Sequence, residues 1–354
     1  MKQFRFWSFL FSIVLWGSCA KDFSVLSNYK ESVIVYGLLD QSQPIQYIKV
    51  NKAFLGPGNA LTMAQDFDSI NFHKHLHVKL QAIDPSNGNI VKTINFHADT
   101  LYNKPAGQFA FPKQLLFSST SPLDLSKNYN LIVSDTFNNV LASASTQIVD
   151  SVPSIKQPSS PFLAFSLADS VPMQVEWNSC NLGKIYGISF RLYYVEQNKT
   201  TLVSTQKYID WVMPYKIADY ANEDLLISVP GRAFYQFLGS QLPYDAAVRR
   251  FIRPQKPGSL TKNMDIILTV GSQDLYTYIQ ISQPSTSITQ NPPQYSNVKN
   301  GFGLFSSRRV EYLSGSMGFS GFVLTPASID SLYLGQYTRN SFCDSIPASP
   351  YYCK

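Results

Sequence analysis

The sequence predicts a mainly β protein with two antiparallel β-sandwich-like domains, the second carrying two or so inserted short helices. Three observations carry this prediction. Charged residues make up only 15% of the 354-residue chain, while Tyr and Phe number 21 and 24. Few charges with many aromatics suit β-sheet faces better than solvent-facing helices. Short alternating apolar and polar runs recur through the first half, separated by Pro, Gly, Asn and Ser, with no helical period. The length fits two domains, and the proline-containing stretch 151–161 divides the chain near its middle.

The first element is not part of either domain. Lys2 and Arg5 precede an apolar run from Phe6 to Trp16, and small Gly17 and Ser18 lead to Cys19. Charge, apolar run and small residues in that order read as a secretory signal over residues 1–18. The run is too short to stay as a spanning helix, which needs about 20 apolar residues. Leu15, Gly17, Ser18 and Cys19 resemble a relaxed lipobox, although Trp16 departs from its usual small or aliphatic residue. The resemblance implies that Cys19 becomes the first residue and carries acyl chains. Each buried methylene contributes about 0.8 kcal/mol, so several chains anchor permanently. The competing reading is ordinary cleavage that leaves an unanchored protein. Residues 19–31 follow as a polar tether. Without residues 1–18 the formal charge falls from +6 to +4, with no run of Lys or Arg. Nucleic acid, which selects concentrated basic patches, is not an expected partner.

The first domain spans residues 32–150. Ser32 to Leu39 and Ile45 to Phe54 read as a hairpin, with Gln41, Ser42 and Pro44 in its turn. Leu76, Val78, Leu80 and Ala82 alternate with polar residues as a half-buried strand. Ile90 to Phe96, Phe109 to Phe111 and Asn130 to Ser134 are further strands. The stretch Leu125 to Val133 resembles the tyrosine corner of immunoglobulin-like or fibronectin-like sandwiches, with Tyr129 holding the corner through its hydroxyl. Residues 151–161 form the linker.

The second domain spans residues 162–315. Met173 to Trp177, Ile185 to Glu196, Thr201 to Ile209 and Met264 to Val270 read as strands. One helix opens at Pro230, with Phe234, Phe237, Leu238 and Leu242 near helical spacing. Another starts after Ser272 and places Leu275, Tyr278 and Ile279 on one face. Residues 316–354 read as a C-terminal tail. Cys343 and Cys353 sit ten apart there and are a disulfide candidate in an oxidising compartment; two unpaired thiols are the alternative. Cys180 reads as a small buried apolar residue.

Candidate chemistry is sparse. His73, His75 and His77 would share one strand face about 6 to 7 Å apart, so they are a candidate metal site; the competing reading is a solvent face on an edge strand. Six triplets fit Asp, then Ser or Thr, then an aliphatic residue, with acceptors Ser69, Thr100, Ser151, Ser170, Ser331 and Ser345. They resemble acceptors of Bacteroidota O-glycosylation, although Asp-Ser also marks turns. Two Ser-x-x-Lys matches lack the supporting motifs of penicillin-binding enzymes. No catalytic residue and no cofactor is expected. Tyr186, Tyr193, Tyr194, Tyr208 and Trp211 are candidate ligand-binding aromatics.

Val33 to Leu39, Tyr47 to Gly56, Ser272 to Tyr278 and Val298 to Ser307 together resemble an uncharacterised Bacteroidota lipoprotein family, that of domain of unknown function 4249. The likeness covers residues 20–315. It implies an outer-membrane lipoprotein, on the periplasmic or cell-surface side, often encoded beside a TonB-dependent receptor. The expected function is therefore non-enzymatic: a ligand-binding or accessory partner of a TonB-dependent transporter, taking a glycan or small molecule. A surface glycan-processing hydrolase and a structural or adhesive surface protein are the alternatives.

Overall fold

The computed structural model describes residues 31–54, 59–72, 75–152, 154–168, 170–255, 260–283, 294–314 and 320–353. Cys19 and His73 lie outside them. The protein is mainly β with large mixed sheets and few short helices, a β-sandwich-type fold.

The N-terminal layers contain β1 (Val33–Leu39), β2 (Gln46–Lys52), β3 (His77–Ile83), β4 (Ile90–Leu101), β5 (Gln114–Ser119), β6 (Asn128–Ser134) and β7 (Val140–Gln147). Two short helices, α1 (Ala60–Ala64) and α2 (Phe67–Ile70), connect β2 to β3. Alternation dictates which side chains point inward. On β1 these are Val33, Val35, Gly37 and Leu39; on β6 they are Tyr129, Leu131 and Val133. Each large apolar side chain so buried contributes about 1.5–3 kcal/mol. Strand β4 serves both layers. Residues 90–96 pair with β3, and residues 97–101 pair with β5.

Tyr129 holds a corner at the start of β6. Its hydroxyl accepts from the Asp124 amide at 2.6 Å, and its ring is buried. The segment Phe109 to Phe111, expected as a strand, is irregular, and the strand instead forms at β5.

The second half contains β8 (Ile155–Gln157), β9 (Phe162–Leu163), β10 (Met173–Asn178), β11 (Ile185–Asn198), β12 (Ser204–Val212), β13 (Lys216–Ile217), β14 (Asp224–Val229), β15 (Val248–Phe251), β16 (Met264–Gly271), β17 (Gly301–Tyr312) and β18 (Val323–Leu324). Its helices are α3 (Gly231–Gln241), α4 (Gln273–Ser282) and α5 (Pro326–Tyr333). The small sheet β14-β10-β8 and helices α3 and α5 share one core with β11 and β16. Trp177, Tyr186, Phe190, Phe234 and Leu332 are fully buried in it.

Strand β17 joins the halves. Residues 301–307 run parallel to β1, and residues 308–312 run antiparallel to β16. The main sheet is therefore continuous, in the order β12-β11-β16-β17-β1-β2-β5-β4-β3-β6-β7. A purely antiparallel arrangement does not accommodate the β1–β17 pair, because a distant segment enters beside β1 in the same direction. The sequence boundary at residue 150 is thus crossed by backbone hydrogen bonds. The 151–161 stretch contributes β8 to the small sheet, so it is only partly a connector. The expected tail is likewise folded: Phe322, Leu324, Leu332 and Phe342 are core residues, and Cys343 and Cys353 form a disulfide.

Candidate functional site: a tyrosine-lined groove beneath helix α4

On the outer face of β2, β1 and β17, the rings of Tyr47, Tyr36 and Phe302 are exposed. Tyr36 stands opposite Lys49 on β2 and opposite Leu304 on β17. Ile34 stands opposite Phe302 in the same way. Helix α4 overhangs this face with Leu275, Tyr278 and Ile279, the three residues whose shared helical face the sequence predicts. Gly271 lets the helix start so near the sheet. A Cβ there would lie 2.8 Å from both the Ile185 and Leu275 side chains.

The helix is tied down from outside. Asp274 in its first turn accepts from the Tyr295 hydroxyl at 2.6 Å and from Asn297 Nδ2 at 3.2 Å. Asn297 in turn imitates a strand neighbour. Its amide donates to the Phe305 carbonyl at 2.7 Å and accepts from the Phe305 N–H at 2.9 Å. Each amide group thus meets its complement.

A groove of about 570 Å³ results, between α4 and the sheet. A second hollow of about 400 Å³ lies beside it, lined by Ile34, Phe302 and Tyr295 among others. Tyr36 and Tyr278 line both, meeting edge to face with ring centroids 6.3 Å apart. Burial first, and then the adjacent Tyr278 hydroxyl, push the Tyr36 phenol up to about 12.

The polar groups of the larger groove are unevenly satisfied. Asp40, buried at the end of β1, accepts from the Ser42 amide and hydroxyl at 3.0 and 2.5 Å. Its other oxygen has no hydrogen bond and lies 3.6 Å from Arg308 Nε. Lys49 carries no ion pair with a described residue. Partial burial, and then the neighbouring Lys104, hold its ammonium below the ordinary lysine value. Lys104 itself donates to the Ala110 carbonyl at 2.7 Å.

The residues singled out from sequence lie elsewhere. Strand β3 begins at His77, so His75 precedes the regular alternation; both are exposed. Among the described residues no three His, Cys, Asp or Glu side chains gather as a metal site. Tyr186 and Tyr194 are core residues, and Trp211 stacks against Phe237. Tyr193 and Tyr208 face outward with Arg191 over the Tyr208 ring at 4.2 Å. Thr100 and Ser170 are exposed, while Ser69, Ser151, Ser331 and Ser345 are half-buried. Cys180 is buried, and burial pushes its thiol up, which disfavours the nucleophilic thiolate. No helix among the described residues is long and apolar enough to cross a membrane.

The groove pairs residues more than 200 positions apart, so no local motif announces it. Its one sequence signal is the apolar face of α4, which has no buried residue despite that face. No protein-family model matches the chain, and no curated protein matches it.

Proposed function

We propose that the chain is a lipid-anchored protein of the bacterial outer membrane that binds a ligand in the Tyr36–Tyr278 groove and serves a TonB-dependent transporter. The groove is the observation that carries the binding reading. Its volume suits a small molecule or a short glycan, and it combines aromatic walls with a few polar groups, as ligand sites do. Asp40 is the one carboxylate among its lining residues, and it is engaged by Ser42 and Arg308. Glycoside hydrolysis takes a facing pair of carboxylates, so the lining favours binding over that chemistry.

The address rests on the basic, apolar and small residues that lead to Cys19, and the transporter on the motif resemblance. Twelve residues separate Cys19 from Ser32, a span of at most about 45 Å when extended. An anchor at Cys19 would therefore keep β1, which lines the groove, near the membrane.

Two measurements test the proposal. Mass spectrometry of the mature N-terminus is expected to find acylated Cys19; an unmodified N-terminus elsewhere removes the anchor. Affinity purification from detergent-solubilised membranes is expected to recover a TonB-dependent receptor, and recovery of none removes the transporter role.

A further inference from the structure

The charges around the groove are not balanced. Lys49 and Arg308 line it with Asp40 as their one acidic counterpart. Asp40 is only 3% exposed and lies beside Arg308. It does not serve Lys49. In the sheet register Lys49 stands opposite Tyr36, and Tyr36 stands opposite Leu304. Arg308 is four residues beyond Leu304, or about 13 Å further along the strands. One cation is therefore neutralised at the Asp40 end of the groove, while the other stands level with the Tyr36 ring.

The surroundings of Lys49 sharpen the imbalance. Leu38, Ile45, Leu116, Leu275, Ile279 and Leu304 supply an apolar wall. An ammonium partly withdrawn from water and placed near a second lysine is disfavoured in its charged form, and a nearby anion favours that form again. The depressed Lys49 ammonium is what such a position produces. Lys104 adds positive potential while its own Nζ is held by Ala110.

We infer that the groove takes an amphipathic monoanion, with its carboxylate on Lys49 and its apolar or aromatic body between the Tyr36–Tyr278 pair and the Leu275–Leu304 wall. This deepens the ligand-binding reading above and rests on it. A neutral glycan satisfies the aromatic walls but leaves Lys49 unpaired. A long apolar body fills the volume and uses the aliphatic lining, which sugar hydroxyls would desolvate poorly.

Ligand-observed NMR titration of the full chain in lipid nanodiscs, with empty nanodiscs as the blank, tests this. The probes are 6-phenylhexanoate and its primary amide, which share a shape and differ in charge. The acid is expected to bind at least about tenfold more tightly, as a charge-assisted hydrogen bond should provide. Lys49→Gln is expected to erase that difference, and Lys92→Gln, at an exposed position of β4 outside the groove lining, to keep it. Equal binding of acid and amide overturns the inference, as does acid binding that Lys49→Gln leaves unchanged. If neither probe binds, but a neutral oligosaccharide binds in a manner lost with Tyr36→Ala, the ligand class is overturned and the groove reading stands. If no probe and no oligosaccharide shows Tyr36-dependent binding, both fall.

Discussion

Gly303 lies directly against the Val35 carbonyl: a Cβ at that glycine would sit 2.0 Å from the oxygen. The two residues are register partners in the parallel pair of β1 and β17. Gly303 also has φ +112°, a conformation that side-chain-bearing residues rarely adopt. The Gly-Phe-Gly sequence at 301–303 thus has a physical reason. It lets a remote segment press against β1 while Phe302 faces out and Phe305 enters the core.

Gly303→Ala is therefore expected to destabilise the protein by about 3 kcal/mol or more, combining φ strain with overpacking. The urea midpoint should fall with little change in slope. An unchanged midpoint would mean that β17 is not seated against β1 as described.

Tyr129→Phe tests the corner. The substitution keeps the buried ring and removes the acceptor of the Asp124 N–H. A lost bond that leaves its partner unsatisfied costs about 1–3 kcal/mol. The loss should appear in thermal or urea unfolding, without a change in the far-ultraviolet spectrum.

This corner was legible because its signal is local: a tyrosine at the start of an apolar alternating run, after a turn. The same holds for β1, β3, β11 and α4, whose periods lie within one short window. What was hidden has a common cause. Strand β17 is read by two different neighbours, β1 and β16, and each pairing depends on residues far away in sequence. Residues 320–353 look like a tail because polar residues and prolines separate their apolar ones. Their burial depends on the pocket that β9, β15 and α3 prepare, where the Tyr235 hydroxyl bonds Phe165 and Tyr333 meets Ile252. The groove was hidden for the same reason, since Tyr36 on β1 and Tyr278 on the helix after β16 are brought together through β17, which pairs with both strands.

The disulfide should matter locally. Cys353 is buried, and the Asp344 and Cys353 amides bond to the Tyr351 and Asp344 carbonyls. Replacing Cys343 and Cys353 by Ser is expected to cost about 2–3 kcal/mol, the value for closing a short loop. Hydrogen exchange should quicken over 342–353 and stay unchanged over 301–307.

Acid should weaken the β3–β4 turn only at very low pH. The Ser86 hydroxyl, then its amide, then Lys127, lower the Asp84 carboxyl from 3.8 to about 2. Because the folded value lies below the unfolded one, the contribution is fully present above about pH 4. It is lost as pH falls through about 2. Carboxyl-carbon NMR titration should show Asp84 ionised at pH 3, and Ser86→Ala should move its midpoint upward.

Helix α4 has no buried residue, so its position depends on polar ties and on Leu275, Tyr278 and Ile279. Ser272 ties its start to Ser306 and Ser307, and Asp274 ties its first turn to Tyr295 and Asn297. Asp274→Ala should therefore free the helix without unfolding the sheet. Hydrogen exchange is expected to rise over 273–282, with at most a small change in the urea midpoint. Alkali should reach the same clamp. Burial, then the bond to Asp274, raise the Tyr295 phenol from 10.0 to about 12. A folded value above the unfolded one means that its contribution is intact below pH 10 and disappears as pH rises through about 12. Deprotonation would place a phenolate against the Asp274 carboxylate, and the two charges would repel. If exchange over 273–282 is the same in wild type and Asp274→Ala at pH 7, the helix is held by its apolar face and by the Ser272 bonds to Ser306 and Ser307, and the groove does not depend on the clamp.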